Sequence, residues 1–167
     1  EVIEAHWLFN LHVDQIDIVI HPQSIVHSMV EFLDGSVKAQ LGVPDMKIPI
    51  QYALTYPNHL KANWETLDLT KIDSLTFEKP DLQKFPCIRL AYEALKKGGT
   101  CPVVLNVAND EVVAAFLNDF IRFTDIPILI ESALEQHEYI ENPDLKIISA
   151  TSEWTNNFIQ EKITVNA

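Results

Sequence analysis

Residues 26–42 read VHSMVEFLDGSVKAQLG, and the Asp34-Gly35 step at their centre restricts the chain more than any other feature. Asp-Gly between two runs of alternating apolar and polar residues signals a tight antiparallel hairpin, because glycine tolerates the left-handed backbone that such a turn needs. A two-residue type I′ loop sets Leu33 opposite Ser36, Glu31 opposite Lys38, Met29 opposite Gln40 and His27 opposite Gly42. In that register Val26, Val30, Phe32, Val37, Ala39 and Leu41 share one face with Ser28, and this face is expected to be core. His27, Met29, Glu31, Lys38 and Gln40 take the mixed face.

The hairpin is preceded by EVIEAHWLFNL, Glu1 to Leu11, which has no breaker and is apolar around most of its circumference, so a buried helix is expected. IDIVI, Ile16 to Ile20, reads as a short buried strand ended by Pro22. After Pro44-Asp45, a short helix is expected from Pro49 to Thr55, with proline in its first turn. From Tyr56 to Asp81 the pattern loses periodicity and gains prolines, as a surface linker does. Four amphipathic helices follow. Pro86–Lys97 stops at Gly98-Gly99; the others are 103–120, 125–137 behind a Thr124 cap, and a last one capped by Ser149 or Thr151. The expected fold class is α+β, a partial mixed sheet with a hairpin and helices, then a linker and a small four-helix bundle. The expected division is residues 1–56, a linker at 57–81, and an all-helical domain at 82–167.

A formal net charge of -12 argues against a nucleic-acid partner. Only 12 Lys and Arg are present and none lies in a glycine-rich loop, so this stretch is poorly equipped to grip a phosphate by itself. Cys87 and Cys101 form no CxxC pair, and free thiols in a cytoplasmic protein are the default. No membrane span and no signal peptide are expected. The absence of an initial Met and the immediate start in a helix-like run suggest a segment of a longer protein.

Candidate chemistry is sparse. Glu1 and Glu4, three apart on a helix, could offer oxygen ligands to a hard cation, although acidic residues at a helix start are also what the macrodipole favours. His27 could act as a hydrogen-bond donor or a general acid and base, or be a sheet histidine satisfied by a neighbour. His21, before Pro22, reads as structural, and the six-residue spacing of the two histidines is not that of a zinc helix. Met46 could lie over a planar ligand or simply pack down in its loop. Asn106, Asn109, Asp110 and Glu111 read as structural polar residues of a helix.

EVIEAHWLFN, IHPQSIVHSMVEFLDGSVKAQLGVPDM, LNVANDEVVAAFL and IRFTDI together resemble 1-deoxy-D-xylulose 5-phosphate reductoisomerases, along essentially the whole chain but only the C-terminal part of that family. The resemblance implies that residues 1–56 close a connective, catalytic domain and that 82–167 form the family's C-terminal helical domain. It implies an oxidoreductase using NADPH and Mn2+ or Mg2+ to convert 1-deoxy-D-xylulose 5-phosphate to 2-C-methyl-D-erythritol 4-phosphate in isoprenoid biosynthesis. The metal would polarise the sugar's ketone and hydroxyl, and NADPH would supply hydride after a carbon–carbon rearrangement.

By resemblance Glu1 matches the last of three acidic metal ligands and contacts substrate, and His27 supports the catalytic geometry. Met46 and Pro44 would lie against the nicotinamide. The phosphate grip, the lid and the NADPH fold would lie upstream, so the segment by itself is expected to be inactive. Implied partners are a small phosphorylated sugar and a second subunit paired through the connective domain, with no nucleic acid and no membrane. The alternative from another class is a non-catalytic dimerisation or interaction module.

Overall fold

The structure is a computed structural model describing residues 1–166. It separates into two compact units, one made of Glu1–Asp17 with the chain from Asp81 onward, the other of Ile18–Pro80. The first helix therefore groups in space with the C-terminal helices. It is α1 (Val2–Phe9), ended by Asn10 in the left-handed conformation, and it packs on α3 (Pro86–Lys97). Only Val2 of α1 is buried, while Trp7, Leu8 and Phe9 are more than 70% exposed. The expectation of a buried helix is thus corrected: among the described residues nothing covers its second half.

The core of the helical unit is built around α4 (Cys101–Leu117), which packs on α3, on α5 (Asp125–Gln136) and on α6 (Leu145–Asn166). Val104, Ala108, Val112 and Ala115 recur at helical spacing and are buried against Leu90, Ile130, Ala133 and Ile159. Each fully buried Val, Leu or Ile side chain among them contributes about 1.5–3 kcal/mol. The α3–α4 corner turns at Gly98 and Gly99, both with positive φ. Just after it, buried Thr100 accepts from the Ile140 amide at 3.1 Å and donates to His137 Nε2 at 3.1 Å, and His137 Nδ1–H donates to the Leu134 carbonyl.

Helix ends and caps differ from expectation. α4 ends at Leu117 because Asp119 is left-handed and the Phe120 amide turns back to the Ala115 carbonyl at 3.0 Å. α6 begins four residues before Ser149, where the Asp144 carboxylate accepts from the Ile147 amide at 2.8 Å. Ser149 itself bonds back to the Leu145 carbonyl. Thr124 makes no capping bond, and Asp125 instead grips the Arg122 amide and guanidinium.

In the second unit β1 (Val26–Glu31) and β2 (Val37–Leu41) pair antiparallel, as the Asp-Gly signal implies, but the register is different. Glu31 opposes Val37, Val30 opposes Lys38 and Met29 opposes Ala39. The loop has three residues: the Gly35 amide donates to the Phe32 carbonyl and the Phe32 amide to Ser36, both at 2.9 Å. A type I′ turn needs two left-handed residues, and only Gly35 supplies one. The Asp34 carboxylate accepts from the Ser36 amide and hydroxyl, which holds the alternative turn. Apolar residues are consequently split between the two faces, and both strands are exposed apart from half-buried Val26, so the expected core face is not covered by the described residues.

Ile16–Ile20 is not a strand. A short 3-10 turn at Val13–Gln15 leads into extended chain, and Ile20 forms a lone bridge with Glu78. α2 (Lys47–Thr55) follows the hairpin with Pro49 in its first turn. The stretch beyond it is pinned to residues 20–23: His21 Nδ1–H donates to the Thr76 carbonyl at 2.8 Å, and the Gln23 amide exchanges hydrogen bonds with Thr76.

Two outcomes follow. A Cβ at Gly99 would press on the Ile140 carbonyl and the Tyr139 ring, at a positive φ. Gly99→Ala is expected to cost about 2–5 kcal/mol, the sum of a left-handed alanine and an overpacked contact; a urea-unfolding loss below about 1 kcal/mol would show that residues 139–141 simply move away. The hydrogen bonds from Ser36 hold the Asp34 carboxyl below the usual carboxylate range. Its folded value being depressed, the loop contact is complete above the ordinary aspartate pKa and lost as pH falls through the folded one. The Ser36 amide resonance should therefore titrate below about pH 4; a flat titration would sink the contact.

Candidate functional site

The unequal pairing of the hairpin has a local consequence. Val26 opposes Leu41 while Ser28 opposes Gln40, so His27 is an extra residue in β1, a β-bulge. His27 Nε2–H reaches the Gly42 carbonyl at 3.3 Å, which in the neutral ring leaves Nδ1 as the acceptor nitrogen. Gly42 lacks a side chain at the point where a Cβ would touch this imidazole at 3.6 Å. His27 is thus beside Gly42, as expected, although through a bulge and not through simple cross-strand pairing.

The chain leaving β2 then wraps round the histidine. His27, Gly42, Val43, Pro44 and Met46 line one cavity of about 420 Å³, with Gln40 and Ser28 at its polar side. Such a volume suits a ring-sized group, and the lining is mostly apolar. Met46 is 70% exposed, so its soft thioether is offered outward. Asp45 between them also lines the cavity, and its carboxylate accepts the Lys47 amide at 2.9 Å and pairs with Lys47 Nζ at 3.0 Å. The Lys47 amide, and after it the Lys47 ammonium, hold the Asp45 carboxyl below the usual carboxylate range.

His21 contributes elsewhere. Its ring stacks on Phe77 with centroids 4.6 Å apart while Nδ1–H is spent on Thr76, so the first histidine ties down the returning chain, as its position before Pro22 suggested.

Glu1 belongs to the other unit. Its side chain is fully exposed and makes no capping bond to α1. Glu1 and Glu4 border an open groove whose far wall is α4, with Asn106, Asn109 and Asp110 in its lining. The sequence alone gave these three only a structural reading; their helical spacing on the outer side of α4 was the available signal. Glu111 is structural, accepting from Asn156 at 2.6 Å and Gln160 at 2.5 Å. Among the described residues no group of three His, Cys, Asp or Glu side chains could hold a metal ion. Glu1 fits the role of one oxygen ligand, and a complete cation site needs others. Cys87 and Cys101 are free, with thiols pushed up by burial, which suits packing and not nucleophilic chemistry. No helix of the described residues is long and apolar enough to cross a membrane.

Residues 41–158 match the family model of the DXP reductoisomerase C-terminal domain. The 1-deoxy-D-xylulose 5-phosphate reductoisomerase of Acetivibrio thermocellus is 53% identical over 161 residues, 96% of this chain and 42% of that protein. That of Chloroherpeton thalassium is 63% identical over 138 residues, 83% of this chain and 36% of its own length. The chain thus spans well under half the length of these relatives. Among solved structures, the Zymomonas mobilis enzyme in complex with NADPH superposes with a TM-score of 0.87 at 40% identity, covering 97% of this chain and 43% of that one. A DOX-P reductoisomerase bound to NADPH, fosmidomycin and magnesium gives 0.88 at 41% identity, over 98% and 42%. The family match and the shared fold, found where the hairpin, bulge and α2 also build the cavity, place this chain in the 1-deoxy-D-xylulose 5-phosphate reductoisomerase family.

Proposed function

We propose that this chain is the C-terminal part of an NADPH- and divalent-metal-dependent reductoisomerase that converts 1-deoxy-D-xylulose 5-phosphate to 2-C-methyl-D-erythritol 4-phosphate. The observation that carries the reading is the single cavity that brings together His27, Pro44 and Met46 in a chain of this family. In chain order, residues 1–56 would close the connective domain, 57–81 would form the linker and 82–167 the C-terminal helical domain. Since α1 packs on α3, the first of these stretches also contributes to the helical unit.

The cavity fits a nicotinamide ring: Pro44 and Met46 give it an apolar, polarisable wall, and Gly42 leaves space beside His27. When bound, that cofactor supplies hydride. Pro44 and Met46 orient the ring and exclude water from one side of it. His27, with its Nε2 proton committed to Gly42, presents Nδ1 as an acceptor and supports the geometry of the bound sugar phosphate in preference to moving the principal proton. Glu1 would give one carboxylate to Mg2+ or Mn2+ and contact the substrate oxygens, the remaining ligands and the phosphate grip coming from chain before Glu1 in the longer protein. The strongly acidic composition supports this division, because a phosphate needs cations that this stretch does not gather. A cytoplasmic homodimer completes the reading. The exposure of Val30, Val37 and Phe32 on an open hairpin supports pairing with further chain, whether from the same subunit or a second one, and is also what a non-catalytic interaction module would show.

In the full-length enzyme Glu1→Gln should lower metal-dependent turnover by at least about a hundredfold, more than loss of an outer-shell partner costs, with the circular dichroism spectrum unchanged. Turnover near that of the parent would remove Glu1 from the ligand set. His27→Gln is expected to raise the sugar-phosphate KM about tenfold while the thermal midpoint moves little; unaltered kinetic constants would return His27 to a purely structural role.

A further inference from the structure

We propose that Asp45 is the positioning residue of the His27–Met46 cavity: by capping α2 it holds Pro44 and Met46 where a nicotinamide ring would meet them. The proposal rests on the assignment of this cavity to NADPH.

Met46 stands at the N-cap of α2, and it has no side-chain oxygen with which to satisfy the helix's first amides. Its neighbour does so instead. The Asp45 carboxylate accepts the Lys47 amide at 2.9 Å, its carbonyl accepts the Ile48 amide at 3.2 Å, and its own amide donates back to the Val43 carbonyl at 2.7 Å. Asp45 is therefore bonded on both sides of the Pro44–Met46 step. The Met46 carbonyl in turn accepts from Ile50 at 3.2 Å, so Met46 is fixed as the first link of the helix. With 70% of Met46 exposed, side-chain packing contributes little to its placement; the backbone sets the point from which its side chain leaves, and Asp45 holds that backbone. The partner ammonium is a lesser element. The Lys47 side chain is itself mostly exposed, and an ion pair of this kind is weak in water. What the position requires is an acceptor at the reach of Asp or Asn, not a charge.

The test uses the full-length reductoisomerase and reads the NADPH dissociation constant by nucleotide fluorescence, together with the thermal midpoint. Asp45→Ala should weaken NADPH about fivefold, the amount that a lost cap of ordinary strength corresponds to. Asp45→Asn should restore binding to within about twofold, and Lys47→Met should leave it unchanged. Should Asp45→Ala fail to fold, Asp45→Glu serves in its place, since it keeps the charge and moves the acceptor out of capping reach; parental NADPH binding in Asp45→Glu overturns the proposal. So does a lowered thermal midpoint with an unchanged dissociation constant in Asp45→Ala, or failure of Asp45→Asn to restore binding. Met46→Ala separates the two levels of inference: it should weaken NADPH whatever Asp45 does. If Met46→Ala binds NADPH normally, the assignment of the cavity fails; if it weakens binding while Asp45→Ala does not, only the positioning role fails.

Discussion

The pair of hydrogen bonds that Asp34 accepts from Ser36 sets the geometry on which the rest of the site depends. They hold a three-residue loop, and the loop fixes which residue of β2 meets which residue of β1. Strand side chains alternate, so a change of one residue in that count moves each of them to the opposite face. The chain takes one such step at the loop and a second at His27, where the bulge adds a residue to β1. The second step bends the strand and directs an imidazole toward Gly42 and the loop that leads to α2. A strictly regular two-strand ladder would carry the same residues without assembling the cavity.

The helical unit is stabilised by a different device. Thr100 sits at zero exposure between α3 and α4, and its hydroxyl both accepts from Ile140 and donates to His137. His137 uses its other nitrogen on Leu134. Every polar atom in this chain of bonds has a partner, which is the condition under which buried polar groups stabilise and do not cost. Gly99 permits the close approach of residues 139–141 that brings Ile140 within reach. The α3–α4 corner and the loop before α6 are thereby tied together around the buried Leu90–Val104–Ile159 core.

Much of this was legible from the residues. Pro86 and the Gly98-Gly99 pair bracket α3 in sequence as they do in space, because proline suits a first turn and glycine the left-handed exit. Val104, Ala108 and Val112 announced a buried face by spacing alone. The hairpin was readable as a hairpin, while its register was not: Asp-Gly is compatible with both a two-residue and a three-residue loop, and the choice lies in one aspartate's φ and its bonds to Ser36. The bulge at His27 leaves no compositional trace. Ile16–Ile20 reads as a strand because β-branched residues favour one, but a strand also needs a continuous ladder, and this extended stretch meets Glu78 through an isolated bridge at Ile20. Asp144 caps α6 where Ser149 or Thr151 is expected, because all three are competent caps and only the backbone decides which amides are unpaired. Of the candidate residues, His27, Pro44 and Met46 converge through backbone geometry that no spacing rule contains, whereas Glu1 stands on a separate unit and owes its place in the reading to resemblance.

The two units also differ in what holds them. Among the described residues every buried apolar side chain belongs to the helical unit, and none lies between Ile18 and Pro80. A two-stranded sheet open on both faces is marginal in water, so the hairpin unit persists here through local hydrogen bonds: the Asp34 loop, the Asp45 cap, and the His21 and Gln23 clasp on Thr76. Each of these is exposed and individually small on the scale of a buried core. The cavity lined by His27 and Met46 thus lies on the least deeply anchored part of the chain. Covering the exposed Val30, Phe32 and Val37 with further protein would stabilise the hairpin without altering a single contact in the cavity. Local bonds define the shape of this site, and burial by additional chain is what would hold that shape against thermal opening.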